Sequence, residues 1–290
     1  MTSRFLFPHY CKRIGWAILI PGLVLGYFSF FRNYNIPGFS TSRIRANNPN
    51  VIDVQQFTNS LALALVIAGA MLVAFAKEKI EDELTTRIRH NALYWSILIN
   101  YSLCTVLIIA AIIKGDVFYD YHNILGSFGY IAVIAIYNLF SVLIIFLLRY
   151  HYLLYSKMGQ YKLGGLSFLP YYPYRVVSKW ATRILFVPAA LTYTNWPLPY
   201  SSEIIAVLSL SLLVWVFSRQ KREDEMISTI RMESMQLAIY FVYGFLLLSD
   251  FFIYGNAFFY IMMFNLVGAE AFFLIRFHFA YNKLLKDTRE

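Results

Sequence analysis

Long apolar runs alternate with short polar segments along the whole chain. A helix needs about 20 apolar residues at ~1.5 Å rise each to cross the hydrocarbon of a bilayer. On that measure the runs predict eight spanning helices, at 14–31, 60–76, 92–113, 124–148, 176–193, 202–218, 235–254 and 257–276. The fifth is the weakest, being short, interrupted by Pro188 and carrying Arg183, and Pro21 interrupts the first in the same way. Proline is tolerated in a spanning helix where neighbouring helices satisfy the carbonyl it leaves free. The expected fold class is all-α, a polytopic membrane protein.

The polar segments repeat. KEKIEDELTTRIRH (77–90) lies between two apolar runs, and RQKREDEMISTIRM (219–232) lies between two others. A shift of 142 residues aligns Lys79 with Lys221, Glu81 with Glu223, Asp82 with Asp224, Glu83 with Glu225, Ile88 with Ile230, Arg89 with Arg231 and Tyr101 with Tyr243. A shift of 127 aligns YNLFSVLIIFLLRYHY (137–152) with FNLVGAEAFFLIRFHF (264–279), pairing Asn138 with Asn265, Arg149 with Arg276 and His151 with His278. FPHYCKR (7–13) and LPYYPYR (169–175) agree more weakly. The same elements in the same order predict two four-span repeats, 1–155 and 175–290, joined by a linker at 156–174. An even number of spans returns the chain to its starting side, so the two copies are expected to be parallel.

Composition agrees with a membrane setting: 59 % of the residues are hydrophobic and 19 % aromatic, while only 14 % are charged, against roughly a quarter charged in soluble domains. The net charge of +9 would suit a nucleic-acid binder if it were spread over one surface. Laid on the eight spans, however, every basic residue except Arg32, Arg43, Arg45 and Lys114 falls on one side. The positive-inside rule makes that side the cytoplasm, with both termini there, and no nucleic-acid partner is expected. Cys11 and Cys104 are too few for a disulfide scaffold or a thiolate metal site. The basic start and first apolar run lack a small-residue cleavage site, which reads as a retained span. The one long external loop is RNYNIPGFSTSRIRANNPNVIDVQQFTN (32–59).

The succession PHYCKRIGW, KEKIEDE, IRH and an Asn…Arg-aromatic helix end resembles a group of small uncharacterised bacterial membrane proteins, typically single four-span units. The resemblance implies a tandem version in a bacterial inner membrane and brings no activity with it. The second half departs from the pattern, with WATRILFVP where KRIGW is expected.

Three sets of residues are candidates for chemistry. The first is the charged cluster of Glu81, Asp82, Glu83, Arg89, Arg149 and His151, with Glu223, Asp224, Glu225, Arg231, Arg276 and His278 in the second half. Three consecutive acids on a helix point about 100° apart, so they do not converge on a metal ion, and no metal or other cofactor is expected. Salt bridges to Arg89, Arg231 and the two Arg-x-His helix ends are the expected use, and docking of a cytoplasmic protein is the alternative. The second set is Glu270, about 9 Å inside a helix end and flanked by small residues; an ionisable group at such depth is a functional candidate by default, with protonation in place or pairing to a neighbouring helix the competing and slightly favoured reading. The third is Asn138 and Asn265, the amides that most often join helices by hydrogen bonds. No phosphate loop, nucleophile elbow or HExxH is present. The sequence therefore favours a non-enzymatic scaffold or signal-transducing module that presents charged hairpins and has membrane lipid around it. A small-solute or ion transporter using Glu270, Asn138 and Asn265 ranks second, and an enzyme third.

Overall fold

The computed structural model describes residues 5–32, 34–37, 57–113, 138, 140–156, 166–192, 201–221, 223–253 and 256–287. All their regular structure is helical, in the order α1 (Tyr10–Arg32), α2 (Phe57–Ala74), α3 (Glu83–Ile113), α4 (Ser141–Ser156), α5 (Val176–Thr192), α6 (Ser201–Val216), α7 (Glu225–Phe252) and α8 (Asn256–Asp287). One wide turn, Tyr171–Arg175, leads into α5. Four of these helices, α1, α2, α3 and α7, are long and apolar enough to cross a membrane, and α4 and α6 are apolar but shorter. Most of the loop expected at 32–59, the first part of the fourth expected span and much of the linker lie outside the described residues.

Two helices begin earlier than their apolar runs. α3 starts at Glu83 and α7 at Glu225, so the second half of each charged hairpin is helical. Capping explains the boundary. Asp82 accepts from the Thr85 amide at 2.7 Å while the Asp82 amide donates to the Thr85 hydroxyl at 3.0 Å, and Asp224 accepts from the Ile227 amide at 2.8 Å. Each cap satisfies an otherwise orphaned helix amide, and Glu83 and Glu225 in the first turns favour the positive end of the helix dipole. α1 and α5 run through Pro21 and Pro188 without ending.

Glycines bring α1 and α2 together. A Cβ on Gly69 would lie 2.6 Å from the Leu19 amide nitrogen and 2.9 Å from the Gly15 carbonyl, and one on Gly22 would lie 2.9 Å from the Val66 amide nitrogen. The two backbones touch, the kind of close approach that small residues permit between apolar helices. Gly69→Ala must push the helices apart, which is expected to cost about 1–3 kcal/mol in thermal unfolding of the detergent-solubilised protein. Gly244→Ala, where nothing lies within 4 Å, serves as the control. It should be neutral or stabilising, by up to about 1 kcal/mol of helix propensity.

Within the first half α1 packs on α2, α3 on α4 and α2 on α4; within the second half α5 packs on α6, α7 on α8 and α6 on α8. Between the halves, α2 meets α7, α3 meets α6, and α3 meets α7. The core runs along this seam, with Phe75 stacked on Phe146 and edge-on to Tyr240. Large apolar side chains also cover the outside, among them Ile14, Phe31, Val177, Ile184, Ile275 and Phe279.

Candidate functional site

Both charged hairpins fold by one set of bonds. Ahead of α1 the Phe7 amide donates to the Phe75 carbonyl and the Lys77 amide to the Phe7 carbonyl, both at 2.9 Å. Ahead of α5 the Leu169 amide donates to Phe217 and the Arg219 amide to Leu169, also at 2.9 Å. Leu169 falls in the segment expected to be linker, and it is held by the second hairpin as Phe7 is held by the first. In each hairpin a glutamate turns back to accept a backbone amide, Glu78 to Glu81 and Gln220 to Glu223, both at 3.0 Å. The same glutamates hold buried arginines. Arg89 donates to Glu81 at 2.5 and 3.3 Å and to the Ala76 carbonyl at 3.3 Å. Arg231 donates to Glu223 at 3.1 and 3.2 Å and to the Val216 and Ser218 carbonyls at 2.9 and 3.2 Å.

Each lead-in segment is also received by the other half. The Phe5 carbonyl accepts from Gln236 at 2.7 Å and from the Tyr240 hydroxyl at 2.6 Å, both on α7. In the reciprocal position the Ser167 carbonyl accepts from the Tyr94 hydroxyl on α3. These bonds tie the hairpin ends of the two halves together.

The halves differ in what surrounds the arginine. In the first, Lys12 donates to both oxygens of Glu78 at 2.6 and 2.9 Å, and the Tyr150 hydroxyl donates to Glu78 at 3.0 Å. In the second, Gln220 and Phe277 stand in the places of Glu78 and Tyr150, and Arg231 lies over the rings of Phe168 and Phe277. Burial opposes the Glu78 charge, but the bonds from Lys12 and Tyr150 and the nearby Arg89 outweigh it and hold the carboxyl below its ordinary value. A carboxylate lowered on folding contributes stability above its unfolded value of about 4.3 and loses it as pH falls through the lower folded value. Glu78→Gln is therefore expected to start less stable at neutral pH and to lose less of its unfolding midpoint on acidification below ~5; equal acid losses in both proteins would contradict this.

A second polar group lies at the seam. Asn138 and Asn265 meet there: the Asn138 amide donates to the Asn265 carbonyl at 3.2 Å, and the Asn265 amide to the Asn138 carbonyl at 3.5 Å. Asn100 donates to the Asn138 side-chain oxygen and accepts from the Ser141 hydroxyl, both at 2.5 Å. Tyr101 of the first half donates to the Asn265 carbonyl at 3.4 Å, and Tyr243 of the second half reaches the backbone of Val142 and Leu143. Glu270 shares this layer. It is 1 % exposed, has Tyr101 and Cys104 within electrostatic reach, and neither of its oxygens has a hydrogen-bond partner among the described residues.

No family model matches the chain, and no curated protein or solved structure is significantly similar to it.

The expected charged cluster divides into separate tasks. Glu81 and Glu223 hold the buried arginines, Asp82 and Asp224 cap α3 and α7, and exposed Glu83 pairs with Arg87 at 2.7 Å one turn on. Glu225, equally exposed, has its carbonyl bonded by Thr229 at 2.9 Å. The helix-closing arginines do not receive the hairpin acids as expected. Arg149 donates to the Asn91 side chain at 2.8 and 3.1 Å and lies over Trp95, and Arg276 makes no ion pair among the described residues. The reason is reach: Glu81 and Glu223 are eight residues from Arg89 and Arg231 and meet them across a single helix start. His151 bonds the Leu147 carbonyl at 3.0 Å and packs edge-on against Trp16, while His278 packs against Trp215. Among the described residues no three His, Cys, Asp or Glu side chains converge as metal ligands would. Residues that sequence reasoning passed over include Lys12, Glu78, Tyr150, Asn100 and Arg175. Asn100, an amide alone in the apolar run ILINYSL, carries the same signal that marked Asn138.

Proposed function

We propose that the protein is a bacterial inner-membrane transporter that moves a proton or small cation, with Glu270 as the group that takes up the charge. In this reading it is an eight-span tandem of two parallel four-span units, both termini are cytoplasmic, and lipid surrounds it. The observation that carries the proposal is the Glu270 carboxyl, fully buried at the seam between the halves with no hydrogen-bond donor among the described residues. Ionisable groups held inside membrane helices mark ion and proton pathways more often than they serve packing. A parallel repeat with polar groups at its interface is also a recurring transporter plan. The matched bonds of the two hairpins and the mutual Asn138–Asn265 contact support the tandem arrangement. The scaffold reading asks for solvent-accessible hairpin acids: Asp82, Glu83, Asp224 and Glu225 are exposed, whereas Glu81 and Glu223 are taken up by Arg89 and Arg231.

The test is flux. Protein reconstituted in liposomes should dissipate an imposed proton, sodium or potassium gradient faster than empty liposomes, and Glu270→Gln should abolish the difference. Wild-type liposomes no leakier than empty ones to all three ions would end the proposal.

A further inference from the structure

The two hairpin ends differ by one carboxylate, and the second is left with an excess of positive charge. In the first half Glu78 answers Lys12, and His151 has both that lysine and that acid within electrostatic reach. In the second half Gln220 stands at the Glu78 position, and its side-chain nitrogen is buried without a hydrogen-bond partner among the described residues. Arg175 supplies the cation there. It is 5 % exposed and donates to the Ser218 carbonyl at 3.3 Å, and among the described residues it pairs with no carboxylate. The acid within its reach is Glu223, whose two oxygens already accept from Arg231 and from the Gln220 amide.

Further cations extend the site. Arg175, Lys179 and Arg183 are spaced four residues apart, so they follow one face from the wide turn along the start of α5. His278, across from them on α8, has all three within electrostatic reach. Like charges in that register repel one another, and no acid on α5 separates them. Arg183 lies about 12 Å along the helix from Arg175 and over the Trp180 ring at 5.4 Å, an aromatic–cation pairing suited to the edge of a bilayer.

We propose that this end of the second half binds a phosphate group, held by Arg175, Lys179 and the Gln220 side-chain amide where the first half uses its own Glu78. Guanidinium and ammonium donors beside an uncharged amide recognise a phosphate oxyanion. That phosphate belongs either to an anionic lipid headgroup or to a soluble ion. The site does not depend on Glu270 or on transport.

Binding is measured on the full chain in detergent by native mass spectrometry and by the thermal unfolding midpoint. The additions are phosphatidylglycerol, phosphatidylcholine, or inorganic phosphate alone. Phosphatidylglycerol should be retained and raise the midpoint, and phosphatidylcholine should not. Gln220→Glu supplies the carboxylate of the first half, so it should fold at least as stably as wild type without added lipid while losing about tenfold or more in affinity. Lys179→Gln, on a partly exposed side chain, should weaken binding in the same direction. A midpoint raised by inorganic phosphate and cancelled by Gln220→Glu assigns a soluble anion; an effect of phosphatidylglycerol alone assigns the lipid. The proposal is overturned if neither anion acts on the wild type, or if their effects survive both substitutions.

Discussion

Arg231→Met is expected to cost about 3–5 kcal/mol of folding stability, the range for removing one partner of a buried ion pair. The side chain is fully buried and lies between Phe168 and Phe277. It donates to Glu223 and to the Val216 and Ser218 carbonyls at the C-terminal end of α6. Methionine fills much of the same volume but donates nothing, so the loss comes from stranded acceptors rather than from a cavity. Adding Glu223→Leu removes the stranded charge and should recover a large part of the loss, because an apolar pair of similar size can match a buried ion pair. Denaturation in mixed detergent micelles measures both variants. A cost below about 1 kcal/mol for the single change would mean that the pair behaves as an exposed salt bridge.

Glu270→Leu should do the opposite to stability. The first half carries Leu143 at the aligned position, buried to the same degree. A buried carboxyl without partners carries its desolvation cost uncompensated, about 1–3 kcal/mol, so the apolar replacement is expected to stabilise by that order. The same variant should carry no ions in the liposome assay. Gain of stability with loss of activity is the pattern of a site kept strained for function. If Glu270→Leu destabilises the protein instead, Glu270 is bonded in place and its role is structural. Glu270→Gln separates charge from shape, since it retains the polar side chain and loses only the ionisable group.

Much of the architecture was legible because membrane-length apolar runs leave a helix as the way to satisfy backbone groups locally. The hairpin pairing was also legible. Glu81 with Arg89 and Glu223 with Arg231 recur at one spacing, and the structure joins those pairs. The caps were hidden, because Asp82 and Asp224 sit inside acidic triplets where charge draws attention from hydrogen bonding. The destinations of Arg149 and Arg276 were hidden too, since a shared Arg-x-His pattern says nothing of what the neighbouring helix presents.

Composition and periodicity by themselves determined the helical class, the approximate positions of the described helices and the like order of residues in the two hairpins. These follow from local hydrophobicity and residue order along one strand of chain. Tertiary structure alone decided that Asn138 and Asn265 bond to each other, that each lead-in segment docks on the opposite half, and that among the described residues Glu270 meets no donor and Arg175 no ion-pairing carboxylate. Each of those facts depends on which segments the fold packs together. That choice is set by packing between residues 43 to 231 positions apart, and the order of residues along the chain does not record it.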